Sequence, residues 1–439
     1  MRTYLYSKLR DYLRLYVRPG DRVAEISAKK IAEPLEFPEQ ELLVLQSPSR
    51  EMREARLDFG ALAEFRPDYV LLNGNLHYEA DVQGFLETLR LALLPSTRVV
   101  IMFYSTLWKP WLRLATALGA RVKTPEENWL ANEDMRNLLL LANYELVRQE
   151  SKLLVPAYIP LISYLANRFL APLPGFRLFN LVNIAVVRPL GLAKSEGDKP
   201  PSVSVIIPAR NEAGNIEAAI LRTPRMGPDD EIIFIEGHST DNTWETICEL
   251  KEKYQATHNI QIDRQEGAGK GDAVRKGFSM ATKEILMILD ADLTMPPEEL
   301  PRFYDALTTR KGEFINGSRL VYPMEKQAMR FFNLLGNKFF AVMFSFVLGQ
   351  RFKDTLCGTK VLTRENYLKL AAHRAYFGEF DPFGDFDLIF GAARMALRIV
   401  EVPIHYRERT YGATNIERWK HGLILVRMLR FAAARIKFL

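Results

Sequence analysis

The chain is short of cysteine. Cys248 and Cys357 are the only two in 439 residues. They lie far apart and match no metal-ligand spacing. That excludes a disulfide scaffold and a thiolate metal site, and it fits a reducing compartment. An apolar run of membrane-spanning length is also missing. Residues 153–173 are interrupted by Pro156, Pro160, Asn167 and Arg168, and residues 331–349 carry Asn333, Asn337 and Lys338 in their first half. The apolar remainder, 339–348, is too short to span a bilayer and long enough to dip into an interface. The first residues, Met1-Arg-Thr-Tyr-Leu-Tyr6, have no apolar core and do not read as a signal peptide. A strong charge of one sign is absent: the formal net charge is +6. This excludes a dedicated nucleic-acid binder and fits an anionic small ligand or a membrane surface. No internal repeat is visible. What is present is 48% apolar and 26% charged residues of both signs, enough to build two or three cores.

The chain divides near residue 200. Gly191-Leu-Ala-Lys-Ser-Glu-Gly-Asp-Lys-Pro-Pro201 collects Gly, Ser, charge and a Pro pair with little to bury, and it reads as a linker over 191–201. Before it, short apolar runs at 23–26, 42–45, 69–72 and 98–102 alternate with helical spacing, as in 82–94. This predicts an α/β domain with a mostly parallel sheet. After it, strands are expected at 203–207, 231–235 and 285–289. Helices are expected at 215–221, 243–254 and 272–280.

The sharpest chemical signal is Asp290-Ala-Asp292, which ends the apolar run Ile285-Leu-Met-Ile-Leu289. Positions i and i+2 of an extended segment project to the same side. Two carboxylates aimed at one point repel unless a cation sits between them. Hard oxygen donors at this spacing suit Mg²⁺ or Mn²⁺, which usually come with a phosphate. Three further motifs accompany it. Pro208-Ala-Arg-Asn-Glu212 follows the first strand and Glu236-Gly-His-Ser-Thr-Asp-Asn-Thr243 the second. Gly267-Ala-Gly-Lys270-Gly-Asp272 is glycine-rich without Walker spacing. Open α/β sheets place ligands at the carboxyl ends of their strands.

With these motifs in order, residues 202–420 resemble a family 2 glycosyltransferase of the GT-A fold. They are most similar to the dolichol-phosphate mannosyltransferase and polyprenyl-phosphate glycosyltransferase branch. Gly317-Ser-Arg319, Asp354-Thr-Leu-Cys-Gly358, Glu401-Val-Pro-Ile404 and Arg409-Thr-Tyr-Gly412 complete the likeness. The resemblance implies a sugar moved from a nucleotide-diphosphate donor to a polyprenyl phosphate. Pro208, Arg210, Glu212, Glu236, Lys270, Asp272, Asp290 and Ala291 would line the nucleotide-sugar site. Asp290 and Asp292 would hold the metal, Mg²⁺ or Mn²⁺. Arg319 and Arg409 would act on phosphate during catalysis, with Arg330 and Arg409 receiving the acceptor phosphate. Asp385 and Asp387 would lie near the reacting centre. The sequence departs from the branch at Glu236-Gly237, Thr294 and Gly412-Ala-Thr-Asn415, and the first of these leaves the nucleotide base open. A glycan or small-molecule acceptor is the competing reading.

Residues 1–190 resemble a class I S-adenosylmethionine-dependent methyltransferase, a Rossmann-like fold. The likeness rests on Arg18-Pro-Gly-Asp-Arg-Val-Ala-Glu-Ile26, Tyr69-Val-Leu-Leu-Asn-Gly-Asn-Leu-His77 and Leu94-Pro-Ser-Thr-Arg-Val-Val-Ile101. The cofactor turn reads Ser27-Ala-Lys-Lys-Ile31, without glycine, so side chains fill the approach. The acid expected after the second strand is replaced by Gln46-Ser-Pro48. This half reads as a methyltransferase-like fold that has lost catalysis, with S-adenosylmethionine not an expected cofactor; methyl transfer is the rival activity. Residues 421–439 form a basic amphipathic tail without acids. It is expected to lie on an anionic leaflet and hold the protein peripherally on the cytoplasmic face of the cell membrane.

Overall fold

In the computed structural model, the described residues are 2–28, 35, 40–47, 57–119, 128–191, 199–321, 331–374, 385–409, 411 and 418–438. The fold is α/β and forms two compact units. The first is Met1–Ser195 with Ala434–Leu439, the second Glu196–Ala433.

The first unit is built on a six-stranded sheet. Its strands are β1 (Arg22–Ala28), β2 (Glu41–Ser47), β3 (Tyr69–Asn73), β4 (Arg98–Tyr104), β5 (Tyr144–Lys152) and β6 (Val182–Pro189). The order is β2-β1-β3-β4-β6-β5. The first four strands run parallel, and β6 and β5 are antiparallel additions. The helices are α1 (Arg2–Leu13), α2 (Phe59–Phe65), α3 (Val82–Leu91), α4 (Lys109–Ala117), α5 (Asn132–Leu141) and the short α6 (Ile162–Leu165). β3 and β4 are buried along nearly their whole length, which explains their continuous apolar sequence. Leu86 and Leu89 of α3 close over Ile26, Leu72 and Val99.

The second unit has seven strands: β7 (Val203–Ala209), β8 (Glu231–Glu236), β9 (Ile260–Arg264), β10 (Ile285–Ile288), β11 (Phe314–Ser318), β12 (Lys360–Thr363) and β13 (Ile399–Pro403). Their order is β13-β11-β12-β10-β7-β8-β9. β10, β7, β8 and β9 are parallel, while β12 runs against both β10 and β11. The helices are α7 (Ile216–Arg222), α8 (Thr243–Tyr254), α9 (Lys270–Met280), α10 (Leu300–Thr308), α11 (Phe331–Leu348), α12 (Arg364–Ala372), α13 (Asp385–Arg394) and α14 (Arg418–Ala432). α9 lies close because Gly277 has no Cβ; one there would sit 2.5 Å from Ile206 Cγ2. Parallel β7 and β8 end level with one another and β10 stops three residues short of them, so the loops after all three open on one edge of the sheet.

Among the described residues no helix is long and apolar enough to cross a membrane. α14 buries Leu425, Met428, Leu429 and Ala432 and exposes Leu423, Val426, Arg427 and Arg430. One apolar stripe is therefore packed in protein, and Leu423 and Val426 lie outward beside the arginines. Ile436 and Lys437 beyond it are also buried, and the Lys437 ammonium lies 2.9 Å from Glu150.

Candidate active site

The loop after β7 is pinned to the loop after β8. Asn211, at positive φ, donates its backbone N–H to Ser239 Oγ and accepts from the Thr240 N–H through its side chain. Glu212 donates its N–H to Thr243 Oγ1, and its carboxylate accepts from Asn215 Nδ2 at 2.7 Å. Glu236, at the end of β8, accepts from the Ser239 N–H at 2.5 Å and faces Arg264, whose guanidinium stacks on Trp244. Pro208 is half-buried and Arg210 is exposed just past the strand end.

Asp290 and Asp292 follow β10, with the buried Ala291 between them. Each carboxylate has a cation against it. Lys270, the first residue of α9, lies 2.5 Å from Asp290. Arg409 bridges, 2.6 Å from Asp292 and 2.7 Å from Glu212. Thr294 fixes the other oxygen of Asp292 through its N–H and hydroxyl. Burial works against ionisation of Asp290, but Lys270, with Lys360 and Arg319 beyond it, holds its pKa below the ordinary carboxylate value. Burial lifts Glu212 above that value although Arg409 opposes the shift. Gly358 makes the Asp290–Lys270 contact possible from behind, since a Cβ there would overlap both side chains.

The other expected residues are placed as follows. Arg319 is taken up by Asp354: its backbone N–H, Nε and Nη2 all donate to that carboxylate, at 2.6–3.0 Å. Asn337 and the Leu356 N–H complete the shell of Asp354. The Nε–Nη2 edge of the Arg319 fork is therefore filled by protein. Asp272 turns back to accept the Gly267 N–H and closes the glycine loop on itself. Asp387 is buried between Arg275 of α9, at 3.7 Å, and Arg374, at 3.5 Å. Asp385 opens α13. Arg330, the stretch 412–415, Phe383-Gly384, the linker residues 192–198, the turn residues 29–31 and Pro48 lie outside the described residues.

Sequence reasoning missed Lys360 and gave Asp354 no role. Lys360 is fully buried on β12 and donates to the Cys357 carbonyl. Its signal was a charged residue opening an otherwise apolar strand, Lys360-Val-Leu-Thr363.

No group of three His, Cys, Asp or Glu side chains among the described residues forms a protein-only metal cage. Asp290 and Asp292 still fit an ion that completes its shell with phosphate oxygens and water, the usual arrangement for Mg²⁺. Lys270 and Arg409, the cations against these two carboxylates, are the protein's own groups for a diphosphate at this edge.

Residues 204–366 match the family model described as glycosyl transferase family 2. The chain is 29% identical over 228 residues to glycosyltransferase AglJ of Haloferax volcanii, covering 52% of this chain and 70% of that protein. It is 35% identical over 138 residues to the dolichol-phosphate mannosyltransferase of Pyrococcus furiosus, covering 31% of this chain and 38% of that enzyme. Glucosyl-3-phosphoglycerate synthase from Mycobacterium tuberculosis, solved with Mn²⁺, UDP and glucosyl-3-phosphoglycerate, is 19% identical with a TM-score of 0.39. That likeness covers 54% of this chain and 80% of the other, and at that score it carries no argument.

Proposed function

Residues 204–366 make this chain a family 2 glycosyltransferase, and on that premise we propose that it moves a sugar from a nucleoside-diphosphate donor to a polyprenyl phosphate. A divalent cation held by Asp290 and Asp292 assists. The observation that carries the reading is Arg409 joining Glu212 to Asp292 while Lys270 covers Asp290. Acids and cations alternate around one strand-end edge. A metal–diphosphate pair matches that alternation and leaves no partly buried charge unpaired.

In the transfer, an acceptor phosphate oxygen bonds to the anomeric carbon. The bond from that carbon to the diphosphate oxygen breaks, and its electron pair leaves with the nucleoside diphosphate. The acceptor is already anionic near neutral pH, so no side chain need deprotonate it. The bound cation would supply charge stabilisation to the departing diphosphate. Lys270 and Arg409 supply the same from the protein, fixed in place before the charge develops. Glu212 and Glu236 hold the nucleoside end. Asp387 keeps Arg275 and Arg374 beside α13, with Asp385 near the acceptor. Arg319, braced by Asp354, shapes the wall rather than gripping phosphate.

The acceptor assignment draws on the mannosyltransferase relative and puts the protein to work at a membrane, peripherally on the cytoplasmic face. Residues 202–420 are the transferase domain, 191–201 the linker and 421–439 the tail. Residues 1–190 are a methyltransferase-type fold without methyl transfer. The parallel run β2-β1-β3-β4 supports this fold. The Glu25 carboxylate, in the middle of β1, is taken by Asn73 and the Leu35 N–H rather than left for a cofactor.

The test is a screen of nucleoside-diphosphate sugars with Mn²⁺ against polyprenyl phosphate, a glycan and a small-molecule acceptor. Product on the polyprenyl phosphate is expected. Product only on the glycan or the small molecule would replace the acceptor.

A further inference from the structure

One stretch of the first unit has its amphipathicity inverted. In α6 and the turn Ala166–Leu170 that follows it, the buried positions are Ser163, Ala166 and Asn167, and the outward ones are Leu161, Ile162, Tyr164, Leu165 and Phe169. Leu161 is 69% exposed and Ile162 58%. A helix packed for water shows the reverse. The inversion is not fraying, because the polar residues are bonded inward. Asn167 holds the Val155 N–H and carbonyl and the Tyr4 hydroxyl. Asn180, fully buried, holds the Ser151 and Ala171 carbonyls. Ser163 bonds Ile159. The backbone is thus fixed so as to hold apolar side chains outward.

A second exposed strip shares this face. α4 buries Leu112 and presents Trp111, 65% exposed, with Leu114. The preceding Trp108 donates its indole N–H to the Phe179 carbonyl at 2.7 Å, tying the strip to the exposed turn Phe176–Phe179 that follows the inverted stretch in the chain. Together they exceed the scattered apolar residues of an ordinary surface.

Charge tells what covers it. No Asp or Glu occurs from residue 88 to 125 or from 151 to 195, while Lys109, Arg113, Arg168 and Arg177 lie in those stretches. Arg168 stacks over Tyr164 and Phe169, an apolar stem with its charge at the rim. Aromatic rings, aliphatic side chains and cations without acids are the composition of a surface lying in an anionic lipid interface.

We infer that the face formed by α4 and residues 158–179 seats the first unit on an anionic lipid bilayer. The tail is therefore not the principal membrane contact. The inference stands on the first unit alone and does not depend on which sugar or acceptor the second unit uses.

The test is co-sedimentation of the full chain with vesicles of phosphatidylcholine containing phosphatidylglycerol, against phosphatidylcholine alone. Binding is expected to favour the anionic vesicles and to weaken with salt, each rim cation counting for about fivefold. The double variant Trp111→Glu/Ile162→Glu should bind at least about tenfold more weakly with an unchanged melting temperature. Leu423→Glu/Val426→Glu on α14 and Leu140→Glu on α5, all at exposed positions, should bind like the parent. Three results would overturn the inference. In one, the parent fails to bind either vesicle. In another, the first variant binds undiminished, including where it only changes the oligomeric state. In the third, the α14 variant alone releases the protein.

Discussion

Two buried ionic groups test the energetics at the scale of single residues. Asp354 is buried with Arg319 across its carboxylate. Burial alone would raise its pKa, but Arg319 holds it far below the ordinary value of 3.8. A depressed carboxylate contributes stability that is present above its unfolded pKa and lost as pH falls below it. Asp354→Asn should therefore destabilise the second unit by about 3–5 kcal/mol at neutral pH, because Arg319 is left buried and unpaired. The deficit should shrink in urea melts taken below about pH 4; a variant as stable as the parent at pH 7 would contradict it. Glu150 is the converse case. It meets Arg148, Lys152 and Lys437, all buried, so cations outnumber it. Burial brings Lys152 down from 10.5 to about 8 despite Glu150. Between those values the unfolded chain holds a proton that the native state has released, so stability should rise with pH across that window. Lys152→Met should raise stability at pH 7 by about 1–2 kcal/mol and flatten the rise. A fall in melting temperature would show the cluster to be fully compensated.

At the scale of elements, α9 sets the site because it begins at Lys270 and lies on β7 and β8. Gly277→Ala should push α9 off Ile206 and cost about 1–3 kcal/mol. Chemical denaturation reads this directly, and a neutral result would mean the helix can shift freely. The same elements show what a sequence makes legible. β7, β8, β10, α8 and α9 were readable because apolar runs and helical spacing coincide with burial on one face. β9, Ile260-Gln-Ile-Asp-Arg264, alternates polar and apolar at a sheet edge, and β5, Tyr144–Lys152, carries four charged residues, Glu145, Arg148, Glu150 and Lys152; neither stood out as a buried run. β12 and β13 were obscured by distance, since they join a sheet whose other strands lie far back in the chain. The motif residues Glu212, Asp290 and Asp292 were visible as residue types after strand ends, and Arg409 only through the motif Arg409-Thr-Tyr-Gly412 that the family resemblance singles out. That Arg409 would bridge two of them, and that Asp354 would engage Arg319, follows from tertiary folding across 35 to 197 positions. Local spacing carries no record of such pairs. The tail was legible as basic and amphipathic, but periodicity does not say whether protein or lipid meets the apolar side.

At the scale of the whole molecule, one unit carries the proposed sugar-transfer site, and the other carries the outward apolar face inferred above to meet lipid. The proposed division of labour is a water-borne donor in one unit and a membrane seat in the other. The proposed metal–diphosphate site at Asp290 and Asp292 is tested most directly by release of nucleoside diphosphate by the full chain with donor, Mn²⁺ and polyprenyl phosphate. Asp292→Asn keeps the Thr294 and Arg409 contacts geometrically possible but removes a charged ligand. It should lower turnover by about 100-fold or more with an unchanged melting temperature, as should removal of the divalent ion from the parent. Undiminished turnover in Asp292→Asn, or in parent enzyme stripped of divalent ions, would contradict the account.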